Sequence, residues 1–219
     1  GKSTLIRHVN RLIEPTTGEI IIDGQNVLGM NQNELREFRK QKASMVFQKF
    51  ALLPHYTVAD NVAFGLTIQN IPKNEALERS SKWVERVGLA GYERHFPDQL
   101  SGGMQQRAAL CQALIHEPKT LLLDEPLGKL DAMTRENIRK DLQNLWMNEK
   151  PTVLMVTHSI EEAVQMSSKV CVITPRPGLI DKIIEIKLPW PRDLEVKRSQ
   201  EFADYMAEIQ EVFQGYGVI

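Results

Sequence analysis

The feature that most constrains the fold is an apolar run that ends in two acids. Residues Thr120 to Pro126 read TLLLDEP, so three consecutive leucines precede Asp124 and Glu125. An unbroken apolar run of this kind is typical of a strand that is buried on both faces of a parallel sheet. We therefore predict an α/β domain in which these two carboxylates lie at the carboxyl end of a buried strand.

Two other apolar segments also end on a polar side chain. Ala43 to Phe47 is predicted to be a core strand that ends at Gln48, and Thr152 to Thr157 another buried strand that ends at His158. Taken alone, each polar residue is more often structural than functional. Ligands of open α/β sheets, however, bind at the carboxyl ends of the strands. Together with the acid pair, three strand ends are predicted to present polar groups on one edge of the sheet.

The first residues match the end of a phosphate-binding loop. Gly1-Lys2-Ser3-Thr4 fits the close of the pattern G-x-x-x-x-G-K-[ST], in which the lysine reaches the β- and γ-phosphates and the hydroxyl ligates Mg²⁺. Four residues are a weak signal by themselves. Because the first five positions of the pattern are missing, we interpret the chain as truncated at its N-terminus inside this loop.

The loop and the acid pair together supply the parts needed for phosphoryl transfer. Asp124 is predicted to hold Mg²⁺ through water, together with the Ser3 hydroxyl. Glu125 is predicted to take a proton from an attacking water, a role that typically contributes about 10²–10⁴-fold to a rate. An acid pair at a strand end without such a loop would usually be a solvated turn.

A second anion-binding feature follows much later in the chain. Ser101-Gly102-Gly103 is predicted to begin a helix that runs towards His116, with Ser101 as its N-cap. Unpaired N–H donors and the positive end of the helix dipole favour an anion at such a helix start. By itself, an ordinary serine-capped helix is the more common interpretation.

The segment between these features has a helical character. Val58 to Leu66 and Asn74 to Val87 are predicted to be helices, the second capped by Asn74, so that residues from about Phe50 to Gln99 form an insertion between two halves of the sheet domain. Earlier in the chain, a short strand over Gly18 to Gly24 ends in an Asp-Gly turn. Asn31 with Glu34, and Ser159 with Glu162, have the spacing of a capping box at a helix start.

Composition limits the partners of the chain. The sequence has 27 Lys and Arg against 28 Asp and Glu, a net charge of −1, and this balance argues against nucleic acid as a partner. Cys111 and Cys171 lie in apolar segments and are predicted to be buried, reduced thiols. Because no apolar run approaches the roughly 20 residues that span a bilayer, any role at a membrane is expected to act through a partner.

These residues occur in the order and spacing of an ABC transporter ATPase subunit, and the chain resembles that family over essentially its whole length. The resemblance is carried by Gly1 to Thr4, Gln48, Leu100 to Arg107, Leu121 to Pro126, Asp131 and His158. It implies an α/β P-loop NTPase fold: a RecA-like core over residues 1–49 and 106–175 with a small antiparallel β subdomain, an inserted helical subdomain over 50–105, and a C-terminal strand and helix over 176–219.

The resemblance also implies a head-to-tail dimer with two ATP molecules at its interface. Ser101 and Gly103 would then contact the ATP of the partner subunit, while Glu125 and His158 are the implied catalytic residues. The implied ATP-binding residues are Gly1, Lys2, Ser3, Thr4, Gln48, Ser101, Gly102, Gly103, Gln105 and Asp131. The implied magnesium ligands are Ser3, Gln48 and Asp124.

Within the family the chain resembles bacterial importers. The front half is similar to glycine betaine/proline ATPases, whereas the tail is similar to the nitrate/sulfonate/taurine group, which we favour. Such importers imply transmembrane permease subunits, a periplasmic or lipid-anchored solute-binding protein, and a peripheral position at the cytoplasmic face of the inner membrane. A soluble ABC ATPase of DNA repair or translation is the alternative, and the compact helical insertion argues against it. Lys129 departs from the family, which usually has alanine there.

Overall fold

The computed structural model describes residues 1–47, 51–128 and 130–217. In chain order its helices are α1 (Lys2–Val9), α2 (Gln32–Gln41), α3 (Val58–Thr67), α4 (Lys73–Arg86), α5 (Gly102–Leu114), α6 (Ala132–Glu149), α7 (Ile160–Met166), α8 (Leu194–Lys197) and α9 (Gln200–Gly215). Its strands are β1 (Ile21–Ile22), β2 (Gln25–Asn26), β3 (Ala43–Val46), β4 (Thr120–Asp124), β5 (Thr152–Val156), β6 (Lys169–Ile173) and β7 (Ile180–Glu185).

A three-stranded parallel sheet positions the predicted strand ends. Its order is β3-β4-β5, with Val46 opposite Leu123 and Asp124 opposite Val156. All five residues of the central strand β4 are buried, which confirms the prediction made from its apolar run. Because the three strands are parallel, their carboxyl ends lie on the same edge of the sheet.

Strand β5 is less buried than its sequence indicates. Val153 and Leu154 are 37% and 40% exposed, so the prediction of a fully buried strand is wrong. β5 is one of the two edge strands of the described sheet, and it borders a cavity of about 880 Å³ that is also lined by residues of β6 and α1. An apolar run shows that a strand can be covered on both faces, but it does not show what covers it.

The helical segment forms a compact unit of α3, α4 and α5. Its core contains Val62, Ala76, Val84 and Ile115, all fully buried. Helix α4 begins at Lys73 and Pro72 occupies its N-cap position, so the predicted Asn74 cap is wrong. Proline is tolerated here because the N-cap precedes the helix, so its missing N–H removes no intrahelical hydrogen bond. The subdomain boundaries stay a prediction.

The short features predicted from local patterns are present, but the strand predicted over Gly18 to Gly24 is limited to Ile21–Ile22. Strands β1 and β2 pair antiparallel across the Asp23-Gly24 turn, where both residues have positive φ (50° and 75°) as a two-residue hairpin turn requires. At the start of α2, the Asn31 side chain accepts hydrogen bonds from the N–H groups of Asn33 and Glu34, and the Glu34 carboxylate accepts one from the N–H of Asn31. This is the capping box that their spacing indicates.

The C-terminal part is built on a second antiparallel pair, β6 and β7, against which α9 packs through Phe202 and Ile209. Cys111 is buried as predicted, but Cys171 on β6 is exposed, so that half of the prediction is wrong; both thiols are free. The alternation of β6 turns Cys171 away from the core face that carries Val170 and Val172. Among the described residues, no helix combines the length and the apolar character needed to cross a membrane.

Candidate functional site

Asp124 ends the central strand in a buried position. The side chain is 1% exposed, and its Oδ2 accepts a hydrogen bond from Nη2 of Arg7 on α1 at 3.0 Å. The other oxygen, Oδ1, is buried and has no hydrogen-bond partner within the described residues. The contact of Arg7 with Asp124 was not predicted from the sequence. The position of Arg7 on the helix that follows the phosphate loop is the one local feature that could have indicated it.

The free position on Asp124 fits a hydrated magnesium ion. A buried carboxylate oxygen without a partner is a costly arrangement that a cation or its water shell would relieve. In the part of the chain that the structure describes, no group of three or more His, Cys, Asp or Glu side chains could hold a metal ion. A magnesium ion here would therefore take its other ligands from hydroxyl, water and phosphate oxygens. Gln48, also predicted as a ligand, lies outside the described residues.

Glu125 has a strained backbone that is fixed by the neighbouring strand. Its φ is +50°, a conformation that residues other than glycine seldom adopt, and its N–H donates to the carbonyl of Val156 at 2.9 Å. Strain of this kind is held only where the surrounding structure enforces it, and it concentrates at functional sites. The bond to β5 therefore helps to fix the backbone of Glu125 at the end of β4.

His158 faces that carboxylate. Its Nδ1 lies 3.6 Å from Oε2 of Glu125, and its side chain is largely exposed. Gly128 closes the other side, since a Cβ at that position would lie 3.6 Å from Cε1 of His158 and 3.8 Å from Oε2 of Glu125. The two residues predicted to be catalytic are thus adjacent.

A set of hydrogen bonds holds the turn on which His158 lies. Ser159 caps α7 by accepting from the N–H of Glu162 at 3.3 Å, and its own N–H donates to Oγ1 of Thr157 at 3.0 Å. The Thr157 hydroxyl donates to Oε2 of Glu162 at 2.6 Å. The spacing of Ser159 and Glu162 predicts a full capping box, and this is half wrong: the Glu162 carboxylate bonds Thr157 instead of the Ser159 backbone.

Glu162 also links α7 to α6. This carboxylate is buried and lies 3.5 Å from Nη2 of Arg139, which is itself buried. Arg139 contacts Glu136 and Glu161 with its other terminal nitrogen at 3.3 and 3.2 Å. A buried carboxylate that is paired in this way resists displacement, because breaking the pair would leave an uncompensated charge. Sequence reasoning missed this network, since its members come from two separate helices.

The end of the phosphate loop lies at the start of α1. Gly1 is the N-cap residue, and Lys2, Ser3 and Thr4 form the first turn. Lys2 lines the same cavity as His158, at the edge where β5 ends. The structure therefore places Lys2 and His158 on one cavity, and the predicted phosphate-binding role of Lys2 stays a prediction.

Ser101 caps α5 as predicted. Its Oγ accepts from the N–H of Met104 at 3.3 Å, and Gly102 beside it is exposed. The side-chain amide of Gln105 donates to the carbonyls of Pro97 and Leu100 at 2.8 and 3.2 Å, so it holds the loop that leads into the helix. The predicted contact of Gln105 with ATP stays a prediction. Its Oε1 would make that contact, because the amide nitrogen is already bonded to the loop.

Asp131 caps the next helix, α6. It accepts from the N–H of Thr134 at 3.0 Å, and the hydrogen bonds from the hydroxyl and backbone of Thr134 lower the pKa of this exposed carboxyl. Arg135 donates to the carbonyls of Leu127 and Leu130, which holds the turn before the helix. Lys129 lies outside the described residues.

No direct polar contact joins the helix starts at Ser101 and Asp131 to Lys2 or Asp124 within the ranges 1–47, 51–128 and 130–217. In the described part of one chain, the two sets of predicted residues are therefore not linked by a hydrogen bond or an ion pair.

Comparison with known sequences gives the family of the chain. The sequence model described as "ABC transporter" matches residues 1–128. An uncharacterized ABC transporter ATP-binding protein of Methanocaldococcus jannaschii is 42% identical over 214 residues, which cover 98% of this chain and 76% of that protein. The glycine betaine transport ATP-binding protein of Bacillus subtilis is 40% identical, over 95% of this chain and 48% of that protein. The nitrate import ATP-binding protein of Synechocystis is 38% identical, over 98% of this chain and 80% of that protein.

The fold also matches solved structures. A dimeric ATP-binding cassette in a post-hydrolysis state, bound to ADP and Pi, superposes with a TM-score of 0.76 at 32% identity, over 85% of this chain and 81% of that one. The predicted P-loop NTPase fold is therefore confirmed.

Proposed function

Because the chain belongs to the ABC transporter family, we propose that it is the subunit that binds and hydrolyses ATP to drive the uptake of a small polar solute. The observation that carries this proposal is the sheet edge where Asp124, Glu125 and His158 lie at the ends of neighbouring parallel strands. That edge offers the buried carboxylate of Asp124 for a cation, and the partly buried carboxylate of Glu125 faces an exposed histidine where a phosphate could react.

The residues of this edge divide the chemistry among themselves. Lys2 supplies positive charge to the β- and γ-phosphates, and Glu125 takes the proton of the attacking water. His158 donates a hydrogen bond to the γ-phosphate from the position where it faces Glu125. Asp124 and Ser3 would hold Mg²⁺, which supplies charge neutralisation on the phosphate oxygens when bound.

We propose that the second set of residues serves a second copy of the chain. The N–H groups of the first turn at Ser101 to Gly103 have no partners within their own helix and can bind an anion. A head-to-tail dimer would bring this helix start to the γ-phosphate held by the other copy, with Asp131 beside that copy's phosphate loop. The dimeric form of the similar cassette supports this arrangement.

The transported solute is proposed from relatives. Proteins named for the import of aliphatic sulfonates and of nitrate match the chain over 80% or more of their own length, whereas the glycine betaine protein is matched over 48%. We favour a sulfonate, taurine or nitrate importer, with glycine betaine as the second candidate because that relative is 40% identical. Such an importer requires permease subunits and a solute-binding protein, and this subunit would lie at the cytoplasmic face of the membrane.

Two measurements test the proposal. Phosphate release from ATP by the full-length protein should require Mg²⁺ and stop when EDTA is added. Uptake of labelled taurine, nitrate and glycine betaine should then be compared between cells with and without the gene. Loss of taurine or nitrate uptake alone supports the favoured solute class, and loss of betaine uptake alone supports the second candidate. Absence of ATP hydrolysis, with and without the permease, would overturn the proposed activity.

A further inference from the structure

Gly103 is required by its surroundings rather than by its backbone. It lies in the first turn of α5, and its φ is outside the left-handed region that favours glycine. A Cβ built on Gly103 would overlap the methyl carbon Cγ2 of Thr134, at the start of α6. A Cβ built on Gly102, one residue earlier, would have no other part of the described structure within 4 Å. The two adjacent glycines therefore differ: Gly103 is in contact with α6, and Gly102 faces open space.

Thr134 contacts Gly103 with one side of its side chain and Asp131 with the other. Its methyl group lies against Gly103, while its N–H donates to the Asp131 carboxylate at 3.0 Å and its hydroxyl acts on the same carboxylate to lower its pKa. Branching at Cβ restricts rotation of the threonine side chain about χ1. A threonine in this place therefore sets the separation of the groups that it touches. Gly103 and Asp131 are thus held at a defined spacing by one half-buried residue.

We propose that Thr134 is a positioning residue that couples the start of α5 to Asp131, and this inference rests on the proposed function. In that function Ser101 to Gly103 contact the partner's γ-phosphate, while Asp131 lies beside the partner's phosphate loop. Two groups that must meet the same nucleotide need a fixed spacing, because a small misplacement of positioned groups lowers a rate by a large factor. Thr134 supplies that spacing inside one subunit.

The methyl carbon of Thr134 is the atom that a substitution can remove to relieve the overlap with a Cβ at position 103. After Cγ2, the nearest atoms to a Cβ on Gly103 are Oγ1 and Cβ of Thr134 at 3.4 and 3.5 Å, which is ordinary van der Waals distance. A Thr134→Ser substitution removes Cγ2 and keeps both the hydroxyl and the N–H that donates to Asp131. Thr134→Ser should therefore make room for an alanine at position 103.

The experiment is a double-mutant cycle in the full-length protein. The variants are Gly103→Ala, Thr134→Ser and the double variant, and the readouts are kcat, KM, the Kd of the monomer for ATP and the thermal unfolding midpoint. Gly103→Ala should lower kcat at least about tenfold, and adding Thr134→Ser should recover most of that loss. The Kd of the monomer for ATP should change less than about twofold, because Lys2 to Thr4 are untouched.

Gly102→Ala is the matched control. It adds the same methyl group one residue earlier, and whatever it does to kcat should be unaffected by Thr134→Ser. Rescue of both alanine variants, or of neither, would overturn the inference, since only Gly103 meets the methyl of Thr134. A Thr134→Val variant tests the other contact: it keeps the shape and loses the hydroxyl, so it should lower kcat without shifting the unfolding midpoint by more than about 2 °C. Wild-type kcat in this variant would likewise overturn it.

Failure of the proposed function is distinguishable from failure of this inference. If the wild-type protein hydrolyses no ATP, the proposed function fails. If it does hydrolyse ATP and Gly103→Ala is as active as the wild type, the function stands and the role of Thr134 is wrong.

Discussion

Oε2 of Glu125 lies 3.6 Å from Nδ1 of His158, and the two residues come from the ends of adjacent strands. The backbone of Glu125 is held in a left-handed conformation by its bond to Val156, and the turn that carries His158 is held by Thr157 and Glu162. Both partners of this pair are thus fixed by contacts behind them. Such support is what a site needs when it must keep its geometry during a reaction.

Replacing Glu125 by glutamine should abolish turnover. The amide keeps the shape of the side chain but cannot accept the proton of the attacking water, so phosphate release should fall by about 10²–10⁴-fold. ATP binding should persist, and the variant should accumulate as an ATP-bound dimer in sedimentation or gel filtration. Hydrolysis at the wild-type rate would remove Glu125 from the role of base.

Ser101→Arg should block hydrolysis and leave ATP binding by the monomer intact. The long side chain fills the helix start where the partner's phosphate is proposed to bind, whereas Lys2 to Thr4 are unchanged. The control is Ser101→Ala, which removes the cap on Met104 and should cost about 1 kcal/mol of unfolding free energy. Weaker nucleotide binding by the Ser101→Arg monomer would assign this helix start to its own phosphate loop.

Leu122→Ala should be strongly destabilising. The side chain is fully buried at the centre of β4, where it packs with Ile6 and Val156, and a cavity at such a position costs about 2–5 kcal/mol. Leu179→Ala makes the same chemical change at a mostly exposed position and should alter the unfolding free energy by less than about 0.5 kcal/mol. Urea unfolding compares the two variants, and equal effects would contradict the burial described for β4.

His116 should make the protein less stable in mild acid. Burial lowers its pKa below the ordinary value of 6.5, and neither ring nitrogen has a hydrogen-bond partner among the described residues. The unfolded chain therefore binds a proton that the folded chain resists. The associated stability is complete above pH 6.5 and is lost as the pH falls from there through the lowered pKa, at no more than about 1.4 kcal/mol per pH unit.

His116→Asn should remove this part of the pH dependence. Urea unfolding at pH 7.5 and pH 5.5 should show a smaller loss of stability in the variant than in the wild type. His55→Asn, at an exposed position, is the control and should leave the wild-type loss unchanged. An identical pH dependence in the wild type and His116→Asn would contradict the prediction.

Features that depend on neighbouring residues could be predicted from the sequence. The caps at Ser101 and Asn31, the Asp-Gly hairpin turn and the buried strand β4 are all present as expected. Each is decided by the side chain and backbone preferences of a few consecutive residues. The Asn74 cap failed for a local reason too, because a proline two residues earlier already starts the helix.

Features that depend on distant residues could not be predicted. The exposure of Val153 and Leu154 depends on what pairs with the edge of β5. The carboxylate of Glu162 bonds Thr157 and Arg139 rather than the backbone of Ser159, because a helix from elsewhere in the chain supplies the arginine. Sequence spacing carries no information on such competition between partners.

The sequence by itself determined the motifs of the site and the strand and helix ends on which they lie, because cap, turn and apolar patterns act over a few residues. Only the tertiary structure decided that Glu125 faces His158, that Arg7 bonds Asp124, and that Gly103 rests against Thr134. Each of these contacts joins elements that are far apart in the chain, and packing brings them together. The reason for the second glycine of the Ser-Gly-Gly motif is therefore visible only after the chain has folded.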